Sequence, residues 1–324
     1  MSALHYAPNP SGYGGQIVRN VLQCIGNTPL LRLERMPDPG AAEIFVKWEG
    51  ANPTGSMKDR MALSMVEGAE RRGQLRPGGT VIDYTGGSTG SSLAMVCAAK
   101  GYKSYFVSSD AFAEEKLQTM RALGATLELV PSVNRKITPE LIQAEISRAR
   151  ELATRPGFFW TDQFNNPDNR AGYHKMGEEI LEALGGQVDG FVMGVGTGGC
   201  FSGNSEVLKE KSRAVRCVAI EPATSRALSG TGPMGGHRLE GIGAGFVPAI
   251  FRSDLVDEIV AVSDEDAYQT ARRLAQVEGI FGGTTSGGNV WAALQLARQL
   301  GPGRKVVTVI VDSGLKYLQG DLYR

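Results

Sequence analysis

Lys58 stands in Gly50-Ala51-Asn52-Pro53-Thr54-Gly55-Ser56-Met57-Lys58-Asp59-Arg60, between an apolar run and an amphipathic stretch. A lysine on a solvated surface is only a charge. Brought by loop-forming neighbours to a sheet edge and a helix start, it loses hydration, its pKa falls, and it becomes an amine nucleophile or base. A second loop, Gly194-Val195-Gly196-Thr197-Gly198-Gly199-Cys200, follows an apolar run and opens a helical pattern. Backbone N–H groups and the helix dipole there attract an anion, so a phosphate fits. Gly194, Gly196 and Gly199 also satisfy G-x-G-x-x-G, and Glu221 lies where a ribose-binding acid would stand. A dinucleotide site, or tight turns with no ligand, are therefore competing readings.

Other strand-to-helix loops share this chemistry: Thr85-Gly86-Gly87-Ser88-Thr89-Gly90, Gly241-Ile242-Gly243-Ala244-Gly245-Phe246, Gly282-Gly283-Thr284-Thr285-Ser286-Gly287-Gly288 and Asp312-Ser313-Gly314. They offer N–H groups and small hydroxyls to an oxygen-rich ligand. A phosphate cradle in one half and a reactive lysine in the other suit a phosphorylated aldehyde, for which pyridoxal 5'-phosphate is the obvious candidate.

Such loops need rigid elements to aim them. Short runs rich in Val and Ile predict strands at 44–48, 80–84, 103–107, 126–130, 190–194, 216–220, 258–262 and 305–311. Helical patterns fall between them at 59–72, 89–100, 114–123, 199–212, 264–278 and 288–300. The alternation predicts an α/β fold of two lobes, each with a mostly parallel central sheet, and ligand in the cleft at the carboxyl ends of the strands. A charged amphipathic helix is expected within 131–159, ending at Arg155-Pro156-Gly157 and marking a domain change. The division reads as a smaller lobe, 49–156, carrying Lys58, and a larger lobe, 1–48 plus 157–324, carrying the phosphate loop.

Composition excludes several classes. Thirty-four Lys+Arg against 34 Asp+Glu give 324 residues a net charge of zero, which argues against nucleic acid or an acidic membrane as partner. No apolar run approaches the length of a membrane span, and 1–16 shows no secretory h-region. Cys24, Cys97, Cys200 and Cys217 form no CxxC pair, so neither disulfides nor a zinc site is indicated. A cytoplasmic protein is expected.

The ordered motifs carry a resemblance. Ile25-Gly26-Asn27-Thr28-Pro29-Leu30, Asn52-Pro53 with Ser56-x-Lys58-Asp59-Arg60, Gln163-Phe164-x-Asn166-Pro167, Gly196-Thr197-Gly198-Gly199, Gly241 to Phe246, and Asp312-Ser313-Gly314 with Tyr317-Leu318 occur as in the cysteine synthase and cystathionine β-synthase family. The chain resembles these fold-type II pyridoxal-phosphate enzymes over nearly its whole length. The resemblance implies that Lys58 is the Schiff-base lysine, which also moves the substrate's α-proton. It implies that Gly196, Thr197, Gly198, Gly199 and Cys200 hold the phosphate and that Ser286 bonds the pyridine nitrogen. It implies that Thr85, Gly86, Gly87, Ser88, Thr89 and Gln163 grip the substrate carboxylate, with Ser88 also at the cofactor. The implied reaction is β-replacement on an O-acetylserine-like amino acid through an α-aminoacrylate, with sulfide or another small nucleophile, in a homodimer.

The chain departs from the family in three places. The usual loop Thr-Ser-Gly-Asn-Thr-Gly has Gly86 for serine and Ser88 for asparagine. Cys200 ends the phosphate loop in place of threonine, and Leu315-Lys316 replace a frequent Glu-Arg. These leave open a β-elimination lyase of cysteine desulfhydrase or serine dehydratase type, a different nucleophile, or a non-catalytic cofactor-binding paralogue; an NAD-dependent oxidoreductase is the remote alternative. His174 and Glu178, four apart, read as a helix-surface pair and no metal is expected. Trp48, Trp160 and Trp291 read as packing. His237 and Arg238 read as closing over the site or as a solvated loop.

Overall fold

The computed structural model describes residues 17–134 and 138–324. The segment 1–16, read above for a leader, lies outside them. Two sheets organise the chain. The first contains β1 (Leu30–Arg32), β2 (Glu43–Trp48), β7 (Gly190–Gly194), β8 (Arg216–Pro222), β9 (Glu258–Val262) and β10 (Lys305–Ile310), in the order β1-β2-β10-β7-β8-β9. The second has β3 (Thr80–Tyr84), β4 (Lys103–Ser109), β5 (Thr126–Val130) and β6 (Phe158–Trp160), in the order β5-β4-β3-β6. β1 runs antiparallel to β2; the other strand pairings are parallel. Parallel strands need crossover helices, which cover both faces and make the strands apolar throughout. Accordingly β7 is buried at every residue.

The crossovers are α1 (Lys58–Arg71), α2 (Ser88–Lys100), α3 (Glu114–Ala122), α4 (Pro139–Ala153), α5 (Pro167–Ala171), α6 (His174–Ala183), α7 (Gly199–Lys211), α8 (Asp264–Glu278) and α9 (Thr284–Leu300). Helix α8 shows the local logic. Ser263 caps it by accepting from Asp266 N at 3.0 Å, three acids occupy its first turn, and Gly279 ends it at φ +71°.

Three expectations change. The helix expected within 131–159 covers only Pro139–Ala153. After Gly157 turns at φ +80°, the aromatic run Phe158–Trp160 extends and pairs with β3. The smaller sheet thus runs past the boundary drawn at 156. Helix α9 starts at Thr284 rather than 288, through two glycines that normally weaken a helix. Here close packing requires one of them: a Cβ on Gly287 would lie 2.0 Å from the Ala267 carbonyl oxygen on α8.

Helix α4 lays Ile142, Ile146, Ala149 and Leu152 against Ile82, Tyr84 and Val107 of the smaller sheet. Glu145 on this helix is fully buried and, among the described residues, neither carboxyl oxygen has a partner. Burial pushes its pKa from 4.5 up to about 8. The folded state therefore holds a proton that the unfolded chain releases above pH 4.5. The stability of the neutral form is fully present below that value and is lost as pH rises through about 8. Glu145→Gln removes this loss. Its stability relative to the parent, from urea midpoints, is expected to improve by about 2–4 kcal/mol between about pH 4 and pH 9; a pH-independent difference would contradict the buried neutral acid.

Candidate active site

Lys58 is placed by backbone pairing beyond the end of β10. Met57 N donates to Val311 O at 2.8 Å and Ser313 N to Gly55 O at 2.9 Å, with Gly55 at φ +70°. The loop 52–57 is thus stitched to the carboxyl end of the strand between β2 and β7. Lys58 opens α1 with its N–H on Ser56 Oγ at 3.2 Å. Lys58 is half-buried. Desolvation lowers its pKa; Cys200 and Asp312 oppose this without cancelling it. Among the described residues no carboxylate pairs with its Nζ.

The next two residues anchor that helix start. Asp59 is fully buried and accepts from Thr54 N (2.8 Å), Thr54 Oγ1 (2.5 Å) and Ser92 Oγ (2.6 Å), tying α1 to α2. Arg60 makes two forks. Its Nε and Nη2 meet Glu49 at 2.7 and 2.9 Å, and its Nη1 and Nη2 meet Glu179 at 2.9 and 2.8 Å. Lys47 adds a 2.7 Å contact to Glu179 and Thr28 donates to Glu49 at 2.6 Å. Burial pushes Glu179 upward, but Arg60 and Lys47 prevail and hold it at about 2. Two buried cations therefore face two buried carboxylates at the first turn of α1.

The glycines of the loop after β7 leave no room for a side chain at 196, 198 or 199. A Cβ on Gly196 would lie 2.0 Å from Gly241 O, one on Gly198 2.7 Å from Phe251 Cβ, and one on Gly199 2.1 Å from Asn169 Oδ1. Gly198 has φ +84° and caps α7 without a side chain; Gly199 N turns to Thr197 Oγ1 at 3.4 Å, and the N–H groups that follow it in the first turn stay available to an anion. Cys200 is buried, its thiol pKa pushed up by desolvation, with Asn204 Nδ2 at 3.6 Å. A neutral thiol there is a small lining residue and a poor nucleophile.

The loop after β3 meets Gln163. Thr89 Oγ1 donates to Gln163 Oε1 at 2.9 Å, and Gln163 Nε2 donates to Tyr84 O at 3.2 Å. Thr85 Oγ1 accepts from Gly90 N at 3.1 Å, folding the loop on itself. Gly87 and Ser88 lie half-buried at the start of α2. Gly86 has a steric reason: a Cβ there would come within 2.1 Å of the Phe112 ring. The phenyl group fills the space a serine would need. Ser286, near the start of α9, is fully buried and accepts from Val311 N at 3.0 Å, which leaves its own O–H to donate elsewhere.

Lys58 therefore lies within electrostatic reach of Cys200 and Asp312, Thr89 meets Gln163, and Ser286 binds the segment that carries Asp312. Sequence reasoning missed Asn169 and Phe112. Asn169 follows the Asn166 that caps α5 and carries no signal of its own; Phe112 is betrayed only by the glycine at 86.

Other candidates are absorbed. Glu221 accepts from Leu228 N (2.8 Å) and Ser229 Oγ (2.5 Å), so it is committed to its own loop and ill placed for a ribose. His174 pairs with Glu206 at 2.8 Å and Glu178 with Lys175 at 3.0 Å, so the expected pair of His174 with Glu178 is replaced by two others. Arg238 binds Asp264 and Asp321 and stacks 4.3 Å from the Tyr268 ring, instead of closing over the loops; His237 Nε2 is 3.1 Å from Gly243 O. Trp48 and Trp291 pack in the core of the larger sheet and Trp160 against α4. Among the described residues no cluster of three His, Cys, Asp or Glu could hold a metal, and no helix is long and apolar enough to cross a membrane.

A glycine-rich cradle at a helix start, a desolvated amine and a buried neutral hydroxyl fit pyridoxal phosphate. Residues 21–312 match the family described as pyridoxal-phosphate dependent enzyme. The chain is 43% identical over 309 residues to a cysteine synthase of Staphylococcus aureus, covering 94% of this chain and 97% of that one. It resembles the structure of O-acetyl serine sulfhydrylase isoform 3 from Entamoeba histolytica, with a TM-score of 0.91 and 36% identity over 98% of this chain and 94% of that one. It also resembles a hydrogen sulfide-producing enzyme from Fusobacterium nucleatum, with a TM-score of 0.88 and 38% identity over 95% of this chain and 100% of that one.

Proposed function

Because the chain belongs to the pyridoxal-phosphate dependent enzyme family, we propose that it performs β-replacement on an O-acetylserine-like L-amino acid with sulfide, as a cytoplasmic homodimer. The observation that carries this is the desolvated Lys58 amine within electrostatic reach of Cys200, the residue that ends the glycine cradle. Lys58 would hold the cofactor's aldehyde covalently, residues 196–200 its phosphate, and Ser286 its ring nitrogen. The bound cofactor supplies an electron sink for the pair left at the substrate's α-carbon. A serine at the ring nitrogen stabilises a ring proton less than an aspartate would, which suits quick loss of a β-substituent over long-lived carbanion chemistry. Thr85, Thr89, Gln163 and the N–H groups of 86–88 orient the carboxylate. Once displaced by substrate, Lys58 takes the α-proton, a role its lowered pKa serves because more of the amine is neutral at pH 7.

A second reading, β-elimination, has one observation in its favour: the Phe112 ring stands where the family's serine would add a hydroxyl to the carboxylate loop. Purified protein is given O-acetylserine with sulfide, O-phosphoserine with sulfide, cysteine alone, and serine with homocysteine, and products are followed by mass. Cysteine from O-acetylserine and sulfide is expected. Pyruvate and ammonia without a new amino acid would establish elimination, and inertness toward every β-substituted serine would reject both readings.

A further inference from the structure

Asn169 lies on α5, outside every group assigned above, and is fully buried. Its Nδ2 donates to Gln163 O at 2.6 Å and to Thr197 Oγ1 at 3.1 Å. Among the described residues its Oδ1 has no partner, and it lies against Gly199, where a Cβ would come within 2.1 Å. The backbone carbonyl of Gln163 can only accept, so the amide cannot be reversed: its NH₂ must face Gln163 and Thr197. Thr197 Oγ1 also receives Gly199 N at 3.4 Å. A hydroxyl has one hydrogen and two acceptor sites, and both acceptor sites are now used. Thr197 is left with only its hydrogen to offer, and it sits 5% exposed in the glycine loop.

We propose that Asn169 is a positioning residue that sets the polarity of the Thr197 hydroxyl, forcing it to act as a donor to a phosphate in the cradle, while pinning that loop to Gln163. This rests on the function proposed above, because it takes the cradle to hold the cofactor's phosphate. The geometry makes a signed prediction. Aspartate has the shape of asparagine but no donors, so in Asn169→Asp the carboxylate would accept the Thr197 hydrogen and turn its lone pairs toward the anion. Asn169→Ala leaves the hydroxyl free to rotate and should do less harm, although it empties more space.

The test titrates apoprotein with pyridoxal phosphate and, separately, with pyridoxal, which lacks the phosphate, reading the absorbance of the bound aldehyde. For pyridoxal phosphate, affinity is expected to fall about 10–100-fold in Asn169→Asp and about 3–10-fold in Asn169→Ala. For pyridoxal it should stay within about twofold of the parent in both. A larger loss in the alanine variant, or equal losses for the two ligands, would mean a packing role and overturn the proposal. Should either variant fail to fold, Thr197→Val and Thr197→Ser decide: valine should lose the phosphate-dependent part of the affinity and serine keep it, and equal behaviour would overturn the proposal. A parent protein that binds neither ligand at Lys58 would instead defeat the functional reading beneath it.

Discussion

Lys58→Ala lowers turnover by at least about 10³-fold, because it removes both the covalent tether and the base for the α-proton. Borohydride reduction before digestion should add the cofactor's mass to the peptide containing residue 58 in the parent and to none in the variant. Exogenous small amines should restore part of the activity, since they replace the base but not its placement. An adduct on another lysine, or a variant with near-parental turnover, would end the assignment. The prediction follows from local surroundings: the ammonium is desolvated, its side chain meets no carboxylate among the described residues, and its helix start is fixed on both flanks.

Arg60→Ala is expected to destabilise the protein by about 3–5 kcal/mol, read as a lowered urea midpoint, because Glu49 and Glu179 would be left buried with Lys47 as their one cation among the described residues. Arg60→Lys should recover little. An ammonium cannot span two forks, and four contacts to two carboxylates need the planar guanidinium. A buried network of this kind need not exceed well-packed apolar side chains in net stability. Its value here is positional, since it fixes the first turn of α1 two residues beyond the reactive amine. Turnover should therefore fall in Arg60→Lys even where folding is retained, and unchanged turnover with an unchanged midpoint would show the forks to be idle.

Much of this was legible from the chain. The parallel strands announced themselves as short apolar runs, and β3, β5, β7 and β9 fall where the pattern places them. Helices α1, α2 and α7 begin within a residue of the expected starts because each opens from a Gly- or Ser-rich loop. What could not be read depended on contacts distant in sequence. Strand β6 is three residues whose extended form is chosen by the open edge of β3. The start of α9 is set by contact with α8, against the helix propensity of its glycines. Within the site, the loops were visible as glycine clusters, whereas Asn169 and Phe112 look like ordinary residues until the fold sets them against Gly199 and Gly86. Gly86 illustrates the difference well: in the sequence it is a lost serine, and in the fold it is space ceded to an aromatic ring.

The pairing of Gly55 and Met57 with Val311 and Ser313 has a consequence for biosynthesis. The segment before the reactive lysine leaves the ribosome early, but its hydrogen-bonding partners are translated only after β2 to β9, just past the strand that closes the sheet between β2 and β7. Domains assemble as translation proceeds, and pairings so far apart in sequence form late. A nascent chain therefore carries residue 58 as an ordinary solvated side chain until β10 has emerged, and becomes competent to capture an aldehyde only when that strand docks.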